Sequence, residues 1–342
     1  MLREVAEAPE VVARQLALNE ALCRDLGERL RRDPPRFVAT CARGSSDNAA
    51  TFAKYVIEIT LGSVVASLGP SIRSIYGTRP RLAGALFLAV SQSGQSPDLI
   101  SLAEVARDDG ALTVAIVNDP SSPLAARCEM VLPLHAGAER SVAATKSLIA
   151  SLAAILQLTA HWSSDPALLD AVRRLPQDLA AAARSDWSAA EALLAESEDL
   201  YVVGRGPGFS AAQEAALKLK EIAGIHAEAY SAAELMHGPL ALAGPNFPAL
   251  IFSQSDAALP GVVELVERLI ALGVPQLVAG PASRAISSNS SALPLPMAED
   301  LHPFTAPIAA MQSFYPMAER VARARGRDPE RPPHLSKVTE TL

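Results

Sequence analysis

The sequence predicts an α/β protein made of two tandem three-layer αβα units, each with a mainly parallel β-sheet. One observation is that short apolar runs rich in β-branched residues alternate with longer helical patterns, which is typical of βαβ units. Another is that this pattern repeats, because Arg-Gly at 43–44 recurs at 205–206 and Ser-Gln at 91–92 recurs at 253–254, after the same shift. A chain of 342 residues is also long enough for two such units.

Ten apolar runs, five in each half, are predicted to be the strands. Those of the first half lie at 36–42, 63–68, 85–90, 112–117 and 130–134, and those of the second half lie at 199–204, 226–230, 248–254, 275–280 and 292–297. The two series follow one another with the same spacing, which indicates a duplicated unit.

The remaining segments complete the domain organisation. Residues 1–33 have apolar residues at helical spacing and are expected to form one or two helices, and residues 34–164 form the first unit with a connecting helix. Residues 165–195 show only helical patterns and are predicted to be a connector, followed by the second unit at 196–324. The last segment, 325–342, is polar and broken by prolines, so an extended tail is expected.

Composition excludes several classes of function. The formal net charge is −7 and the pI is about 5.5, so the chain lacks a positive field that would gather nucleic acid. Cys23, Cys41 and Cys128 are too irregularly spaced for a disulfide framework or a zinc site. The N-terminal segment has acids and no apolar core, and the most hydrophobic stretch is too short to span a membrane, so it is expected to be a buried helix. We therefore expect a cytoplasmic protein without nucleic-acid, membrane or metal partners.

Two loops that follow predicted strands of the first half are rich in hydroxyl groups. Ser45 and Ser46 follow the first strand, and Ser91, Ser93 and Ser96 follow the third. In open parallel sheets, ligands bind beyond the carboxyl ends of the strands, where helix N-termini carry a partial positive charge. Serines that only cap helices explain one such loop as well as a ligand does, but they explain two less well. The corresponding loops of the second half have fewer hydroxyls, so a phosphate site is predicted in the first half alone.

One helix of the second half carries a candidate acid–base pair. Lys218 and Glu221 are three residues apart, which places an ammonium and a carboxylate on the same helix face. An isolated pair of this kind is usually a surface salt bridge. Here, however, four more ionisable residues, all His or Glu, follow within 226–237, and this density favours a catalytic site. By contrast, Thr145 and Lys146 are expected to be a helix cap and a solvated side chain.

These motifs resemble the sugar isomerase (SIS) fold, in particular the isomerase half of glucosamine-6-phosphate synthases and their stand-alone deaminase relatives. The resemblance runs through nearly the whole chain and is carried by ARGSS, SQSGQSPD, SVAATKS, the stretch from GRGPGFS to HGPLAL, and the terminal HLSKVT. The block that contains KLKEI, HAEAY and HGPLAL is the most specific part. The implied fold is two tandem SIS units of flavodoxin-like, three-layer topology.

The resemblance implies a set of substrate-binding residues. The sugar phosphate would be bound by residues of the two hydroxyl-rich loops: Gly44, Ser45, Ser46, Ser91, Gln92, Ser93 and Ser96. Val142 and Ala143 would lie near the sugar. The implied ligand is a hexose 6-phosphate or an amino-sugar 6-phosphate.

The same resemblance implies the catalytic residues. Glu221 would move a proton between C1 and C2 of the open-chain sugar, and Lys218 would lie beside the enediol. His237 would assist ring opening, reaching in from the neighbouring subunit of a homodimer, and Lys337 would approach C2 and could form an imine with the ketose. An aldose–ketose shift needs a carboxylate base over two adjacent carbons and a cationic neighbour for the enediolate oxygen, and these residue types supply both. No metal or organic cofactor is implied.

Three departures from the synthases point toward the deaminase group. The synthases carry an N-terminal glutaminase domain that begins with a nucleophilic cysteine, whereas here Leu2 follows Met1, so glutamine is not expected to be the nitrogen source. Arg43 stands in place of a cysteine, and Ala144 in place of a serine. The predicted reaction is therefore the isomerising hydrolysis of glucosamine 6-phosphate to fructose 6-phosphate and ammonia.

Two other functions remain open at this point. One keeps the fold and changes the substrate, as in a fructosamine-6-phosphate deglycase or another SIS phosphosugar isomerase. The other is a non-catalytic sugar-phosphate sensor, like the ligand domains of SIS-type transcription regulators. Those regulators carry a helix-turn-helix domain ahead of the SIS unit. Residues 1–33, which precede the first unit of this chain, are too few to form such a domain.

Overall fold

Two five-stranded sheets organise the chain, which a computed structural model describes over residues 1–287 and 290–337. The strands of the first sheet are β1 Val38–Cys41, β2 Val65–Ser67, β3 Leu86–Ser91, β4 Leu112–Val117 and β5 Met130–Pro133. Those of the second are β6 Asp199–Gly204, β7 His226–Ser231, β8 Ala249–Phe252, β9 Gln276–Ala279 and β10 Ala292–Leu295. Each predicted strand is confirmed. Residues 338–342 of the predicted tail lie outside the described residues.

The two sheets have the same topology. The first has the order β2-β1-β3-β4-β5, and the second, read from its other edge, has the order β7-β6-β8-β9-β10. Neighbouring strands are parallel throughout both described sheets. This is the flavodoxin-like strand order, so the duplicated α/β unit predicted from the sequence repeat is confirmed.

Helices connect and cover the strands. Their bounds are α1 Leu2–Arg32, α2 Ser45–Leu61, α3 Ser71–Ser74, α4 Pro97–Asp108, α5 Pro123–Arg127, α6 Lys146–Ser163, α7 Pro166–Ala182, α8 Glu191–Glu196, α9 Gly208–Lys218, α10 Ala232–Met236, α11 Leu259–Ala271 and α12 Ala306–Ala324. Shorter 3₁₀ turns lie at Ser188–Ala190, Pro239–Leu242 and Pro281–Ala285, and a π-helical turn at Leu219–Ala223 directly continues α9.

The chain forms two compact units, which we call the N-terminal and C-terminal units. The N-terminal unit comprises Glu10–Arg140, Lys146–Arg173 and, from Ser336, the end of the described chain. The C-terminal unit comprises Arg174–Leu335 together with two short segments, Met1–Pro9 and Ser141–Thr145. Each unit contains one of the two sheets.

Each sheet has its own apolar core. In the N-terminal unit, Phe87 and Ala89 of β3 pack with Leu99 and Leu102 of α4. Helix α6 is apolar on all sides and nearly all of its residues are buried, as expected for a helix inside a unit. No helix of the described residues is long and apolar enough to cross a membrane.

The turn between β6 and α9 requires glycine. The backbone of α9 passes so close to the end of β6 that a Cβ at Gly204 would lie 2.2 Å from the carbonyl oxygen of Gly208. Backbone cannot yield as a flexible side chain does, so only glycine lets α9 begin here. The position of α9, which carries the predicted acid–base pair, depends on this contact.

We expect Gly204→Ala to destabilise the C-terminal unit, because the added methyl overpacks a backbone contact, which typically costs about 1–3 kcal/mol. Gly244→Ala is the matched control, since a Cβ there meets nothing within 4 Å. Thermal unfolding should show a lower Tm for Gly204→Ala and an unchanged Tm for Gly244→Ala. Equal Tm values for the two variants would contradict the packing argument.

Candidate functional site

The two hydroxyl-rich loops of the N-terminal unit lie side by side. Strands β1 and β3 are neighbours, and their register places Cys41 opposite Ala89, so both strands end at the same edge of the sheet. The strand order reverses between β1 and β3, which is the switch point where open α/β sheets bind ligands. The structure therefore brings the predicted phosphate loops together, each leading into the N-terminus of a helix, α2 or α4.

The serines of the second loop are oriented by backbone contacts. The Ser91 hydroxyl accepts a hydrogen bond from the Gly94 N–H at 3.0 Å, and the Ser93 hydroxyl accepts one from the Gln95 N–H at 3.3 Å. A hydroxyl that accepts through a lone pair still has its own hydrogen to donate. Ser96 occupies the N-cap position of α4, and a proline follows at the first helical position. The loop thus combines hydroxyl donors with the free N–H groups of a helix start.

An ion pair that sequence reasoning missed ties the two loops together. Arg43 of the first loop donates to the Asp98 carboxylate of α4 through Nε at 3.1 Å and through Nη2 at 2.6 Å. Asp98 is fully buried, whereas the Arg43 side chain is half exposed. Arg43 thereby holds the first loop against the start of α4. Its place in a family motif was visible in the sequence, but its partner was not.

The equivalent loops of the C-terminal unit are joined by a glutamine side chain. Gln254, at the end of β8, donates its amide to the Arg205 carbonyl at 2.8 Å and to the Asp256 carboxylate at 2.9 Å. Gly208 leaves room for it, because a Cβ there would lie 2.5 Å from the Gln254 Oε1. By the sequence repeat, Gln254 corresponds to Gln92 of the N-terminal unit, and Asp256 corresponds to Gly94. The expectation of a phosphate in the N-terminal unit alone rests on the larger number of hydroxyl groups in its loops.

The segment before α6 holds the two residues expected near the sugar. Val142 is partly exposed and Ala143 is buried. The preceding Ser141 donates its backbone N–H to the Glu4 carboxylate at 3.3 Å. Lys146, the first residue of α6, is only 2% exposed, so the expectation of a solvated side chain was wrong.

Helix α9 and the π-helical turn bring Lys218 and Glu221 together in an ion pair. The Lys218 side chain is 1% exposed and also approaches Glu214, whose Oε1 lies 3.5 Å from Nζ. Glu214 in turn accepts a hydrogen bond at 3.1 Å from the hydroxyl of Tyr315 on α12, and both of these residues are buried. The pair is therefore no surface salt bridge but part of a buried network. Glu214 is four residues before Lys218, so the sequence could have revealed this second carboxylate. The contact between Glu214 and Tyr315 could not have been read from the sequence, because the two residues are far apart in the chain.

Electrostatics keep Lys218 charged within this network. Burial disfavours the ammonium and by itself lowers its pKa, but the carboxylates of Glu214 and Glu221 more than compensate, so the pKa of Lys218 lies above its usual value. A buried ammonium between two carboxylates stays protonated and anchors both. One of them, Glu221, is 22% exposed and faces solvent.

Glu221 lines a cleft of the C-terminal unit with a volume of about 470 Å³. The other lining residues come from the π-helical turn and from the C-terminal segment: Lys220, Arg327, Pro333, His334 and Leu335. His334 has a positive φ of 64°, a backbone conformation that non-glycine residues rarely adopt and that often occurs at functional sites. Residues of the predicted tail thus share one cleft with the predicted base.

The other two predicted catalytic residues are not among those that line this cleft. His237 directly follows α10 and is exposed. Lys337 belongs to the N-terminal unit, where its Nζ lies 3.0 Å from the buried carboxylate of Glu139. Glu139 also accepts hydrogen bonds from the backbone N–H and the hydroxyl of Ser147, at 3.1 and 2.6 Å. Sequence reasoning missed Glu139, which lies far from Lys337 in the chain.

The structure does not gather all the ionisable residues between 226 and 237. His226 begins β7 and pairs with Asp199 at the start of β6, at 2.8 Å, where both side chains are exposed. Glu228 and Glu234 are also exposed. The density of charge in this stretch therefore does not identify the residues that contact one another.

The three cysteines add no candidate nucleophile to the site. Cys23, Cys41 and Cys128 are free and buried, and burial raises the pKa of each thiol, that of Cys128 to about 12. Neutral buried thiols are poor nucleophiles. Within residues 1–287 and 290–337, no cluster of His, Cys, Asp and Glu is arranged to hold a metal ion.

Comparison with known proteins agrees with this fold and these motifs. The sequence model of the SIS domain matches residues 36–161 and 193–278, which cover parts of both sheets. The chain belongs to the SIS domain family. A curated relative of this SIS protein is the isomerising glutamine–fructose-6-phosphate aminotransferase of Zymomonas mobilis subsp. mobilis, with 30% identity over 98% of this chain and 58% of the relative. The chain thus spans less than two thirds of the length of the aminotransferases that it matches.

Solved structures share the whole fold of this SIS protein. One, from Silicibacter pomeroyi DSS-3, carries a provisional assignment as a phosphosugar isomerase; it is 42% identical, and the match covers 96% of this chain and 99% of the other with a TM-score of 0.89. Another is the C-terminal domain of the glucosamine-fructose-6-phosphate aminotransferase of Francisella tularensis, which is 26% identical over 97% of this chain and 98% of the other, with a TM-score of 0.83.

We expect Lys218→Met to lower the free energy of unfolding by about 3–5 kcal/mol, because it leaves the buried carboxylate of Glu214 without its cation. The double variant Glu214→Gln/Lys218→Met should recover part of this loss, since a neutral amide replaces the unpaired charge. Urea unfolding of the two variants and the wild type measures the difference. A double variant less stable than Lys218→Met would refute this account of the network.

Proposed function

We propose that this SIS protein is an isomerising glucosamine-6-phosphate deaminase, with Glu221 as the residue that transfers the proton. The observation that carries the proposal is the position of the Glu221 carboxylate, which a buried ammonium anchors from one side while the other side faces an open cleft. A base that must reach two adjacent carbons needs this combination of fixed position and access.

The proposed reaction proceeds on the open-chain aldehyde. Glu221 removes the proton from C2, the electron pair of that C–H bond forms a C1–C2 double bond, and the carbonyl electrons move to O1. Glu221 then returns the proton to C1 as the nitrogen electron pair forms the C2–N double bond, and a proton passes from that nitrogen to O1, which leaves a C1 hydroxyl and an imine at C2. Water adds to C2, the C2–N bond breaks, and ammonia departs to leave fructose 6-phosphate. The remaining roles follow the resemblance: His237 of the neighbouring subunit assists ring opening, and Lys337 approaches C2.

In this proposal, the loops at the switch point of the N-terminal sheet bind the phosphate. Their support is the pair of adjacent helix N-termini and the Ser91 and Ser93 hydroxyls, which keep a hydrogen to donate. The names of the curated relatives are consistent with such a substrate, because those enzymes aminate fructose 6-phosphate with isomerisation. Deamination of glucosamine 6-phosphate is the reverse of this amination and isomerisation, and it releases the nitrogen as ammonia.

The alternatives differ in what they require of the cleft. A fructosamine-6-phosphate deglycase or another phosphosugar isomerase would use the same base on a different substrate. A non-catalytic sugar-phosphate sensor requires the phosphate loops but no anchored carboxylate. Ammonia release from a panel of phosphorylated amino sugars separates the first two, and binding of glucosamine 6-phosphate without turnover would favour the sensor.

Glu221→Gln should abolish ammonia release from glucosamine 6-phosphate, with kcat reduced by about 10²–10⁴-fold, the usual contribution of a general acid–base residue. The amide has the same shape and cannot take up the proton. Glu234→Gln is the matched control, since Glu234 is exposed. A fully active Glu221→Gln variant would show that the base is another residue.

A mixing experiment tests the proposed contribution of His237 from the neighbouring subunit. Glu221→Gln and His237→Asn should each be inactive alone. After joint unfolding and refolding, half of the dimers of a two-fold assembly are mixed and each has one intact site, so the mixture should recover about a quarter of wild-type activity. No recovery, from a mixture shown by mass measurement to contain mixed dimers, would place both residues in the same subunit.

A further inference from the structure

Arg327 is a cationic side chain of the Glu221 cleft for which the described structure provides no counter-charge. It lines the cleft beside Glu221, and over residues 1–287 and 290–337 no carboxylate lies within ion-pair distance of its guanidinium. Lys220, the other cation of the cleft, donates to the Ala227 carbonyl at 3.0 Å. Neither the motifs nor the spacing of the sequence assigned Arg327 a role.

The position of the Arg327 guanidinium depends on Gly224. This residue ends the π-helical turn with a φ of 65°, three residues after Glu221. A Cβ at Gly224 would lie 2.1 Å from Cζ and 2.2 Å from Nη2 of Arg327, so the guanidinium lies directly on the glycine backbone. The missing side chain of Gly224 therefore makes the space that holds the guanidinium next to the turn that carries Glu221.

The charges of the network leave the cleft in need of such a cation. Lys218 is one positive charge between two carboxylates, Glu214 and Glu221. When Glu221 takes up a proton, the charges of Lys218 and Glu214 cancel each other. A negative charge develops on the sugar oxygen at that moment. The network then has no positive charge left to stabilise it, because Glu214 already neutralises Lys218. Arg327 can supply one, because an arginine guanidinium always carries a positive charge.

We propose that Arg327 is a further catalytic residue, whose guanidinium donates hydrogen bonds to O1 of the sugar as that oxygen becomes negative. This inference rests on the proposed function, since it concerns the same proton transfer. The C2–H bond breaks toward Glu221, its electrons form the C1–C2 double bond, and the carbonyl electron pair comes to rest on O1 against the guanidinium. Arg327 itself gains and loses no proton.

The first test is kinetic. Arg327→Gln should lower kcat for glucosamine 6-phosphate by about 10²-fold, the size of effect seen when one donor to a developing oxyanion is removed, with little change in KM. Arg331→Gln, on the same exposed segment, is the control and should keep wild-type kcat. A raised KM with unchanged kcat would overturn the inference, because it would make Arg327 a ground-state binding residue.

The second test moves the guanidinium without changing Arg327. Gly224→Ala places a methyl where the guanidinium lies, and Gly62→Ala is the matched control, since Gly62 also ends a helix, with a φ of 66°, and a Cβ there meets nothing within 4 Å. Both variants incur similar backbone strain and should lose similar amounts of Tm. Only Gly224→Ala should lose kcat. Equal kcat in the two folded variants would overturn the inference.

The third test separates this inference from the proposed function. Calorimetry compares the binding of 5-phospho-D-arabinonohydroxamate, which mimics the charged enediolate, with that of D-glucitol 6-phosphate, which has no charge near C1. Arg327→Gln should weaken hydroxamate binding at least 10-fold and leave glucitol 6-phosphate binding unchanged. Equal weakening of both, or of neither, overturns the role of Arg327. If Arg327→Gln selectively weakens hydroxamate binding but the wild type releases no ammonia from glucosamine 6-phosphate, the deaminase proposal fails, whereas the role of Arg327 toward an enediolate oxygen stands.

Discussion

The compensation of one buried charge constrains the C-terminal unit more than any other interaction. A lysine ammonium that is 1% exposed is tolerated only if carboxylates surround it, and Lys218 has Glu214 on one side and Glu221 on the other. Tyr315 extends the network to α12 through Glu214. Helix α9, the π-helical turn and α12 must therefore keep their relative positions, and the carboxylate that faces the cleft is held as a consequence.

The π-helical turn determines where Glu221 lies relative to the cleft. A π turn adds a residue to the helical turn and rotates the side chains that follow it, and such turns are frequent at functional sites. Glu221 lies inside this turn, which ends at Gly224, a residue whose missing side chain makes room for Arg327. The same short segment thus holds the carboxylate, exposes it and leaves space for a cation beside the cleft.

Duplication provided two sheets with one topology, and their switch points have diverged. In the N-terminal unit, Ser91 and Ser93 accept hydrogen bonds from their own loop and keep hydrogens to donate. In the C-terminal unit, the amide of Gln254 donates a hydrogen bond to the carboxylate of Asp256. The two switch points therefore differ in their polar groups, although both follow the same strand order. The C-terminal unit instead presents its cleft at the far end of α9.

The ten strands, the duplicated topology and the pairing of Lys218 with Glu221 could be predicted from the sequence, because short apolar runs, their repeated spacing and the i, i+3 spacing are properties of the chain itself. The sequence placed the serine loops together because parallel strands that neighbour one another end at a common edge. Tertiary structure alone decided the partners that are distant in sequence, such as Arg43 with Asp98 and Lys337 with Glu139. It also decided that Lys146 is buried, since no local pattern states which surface a neighbouring element will cover.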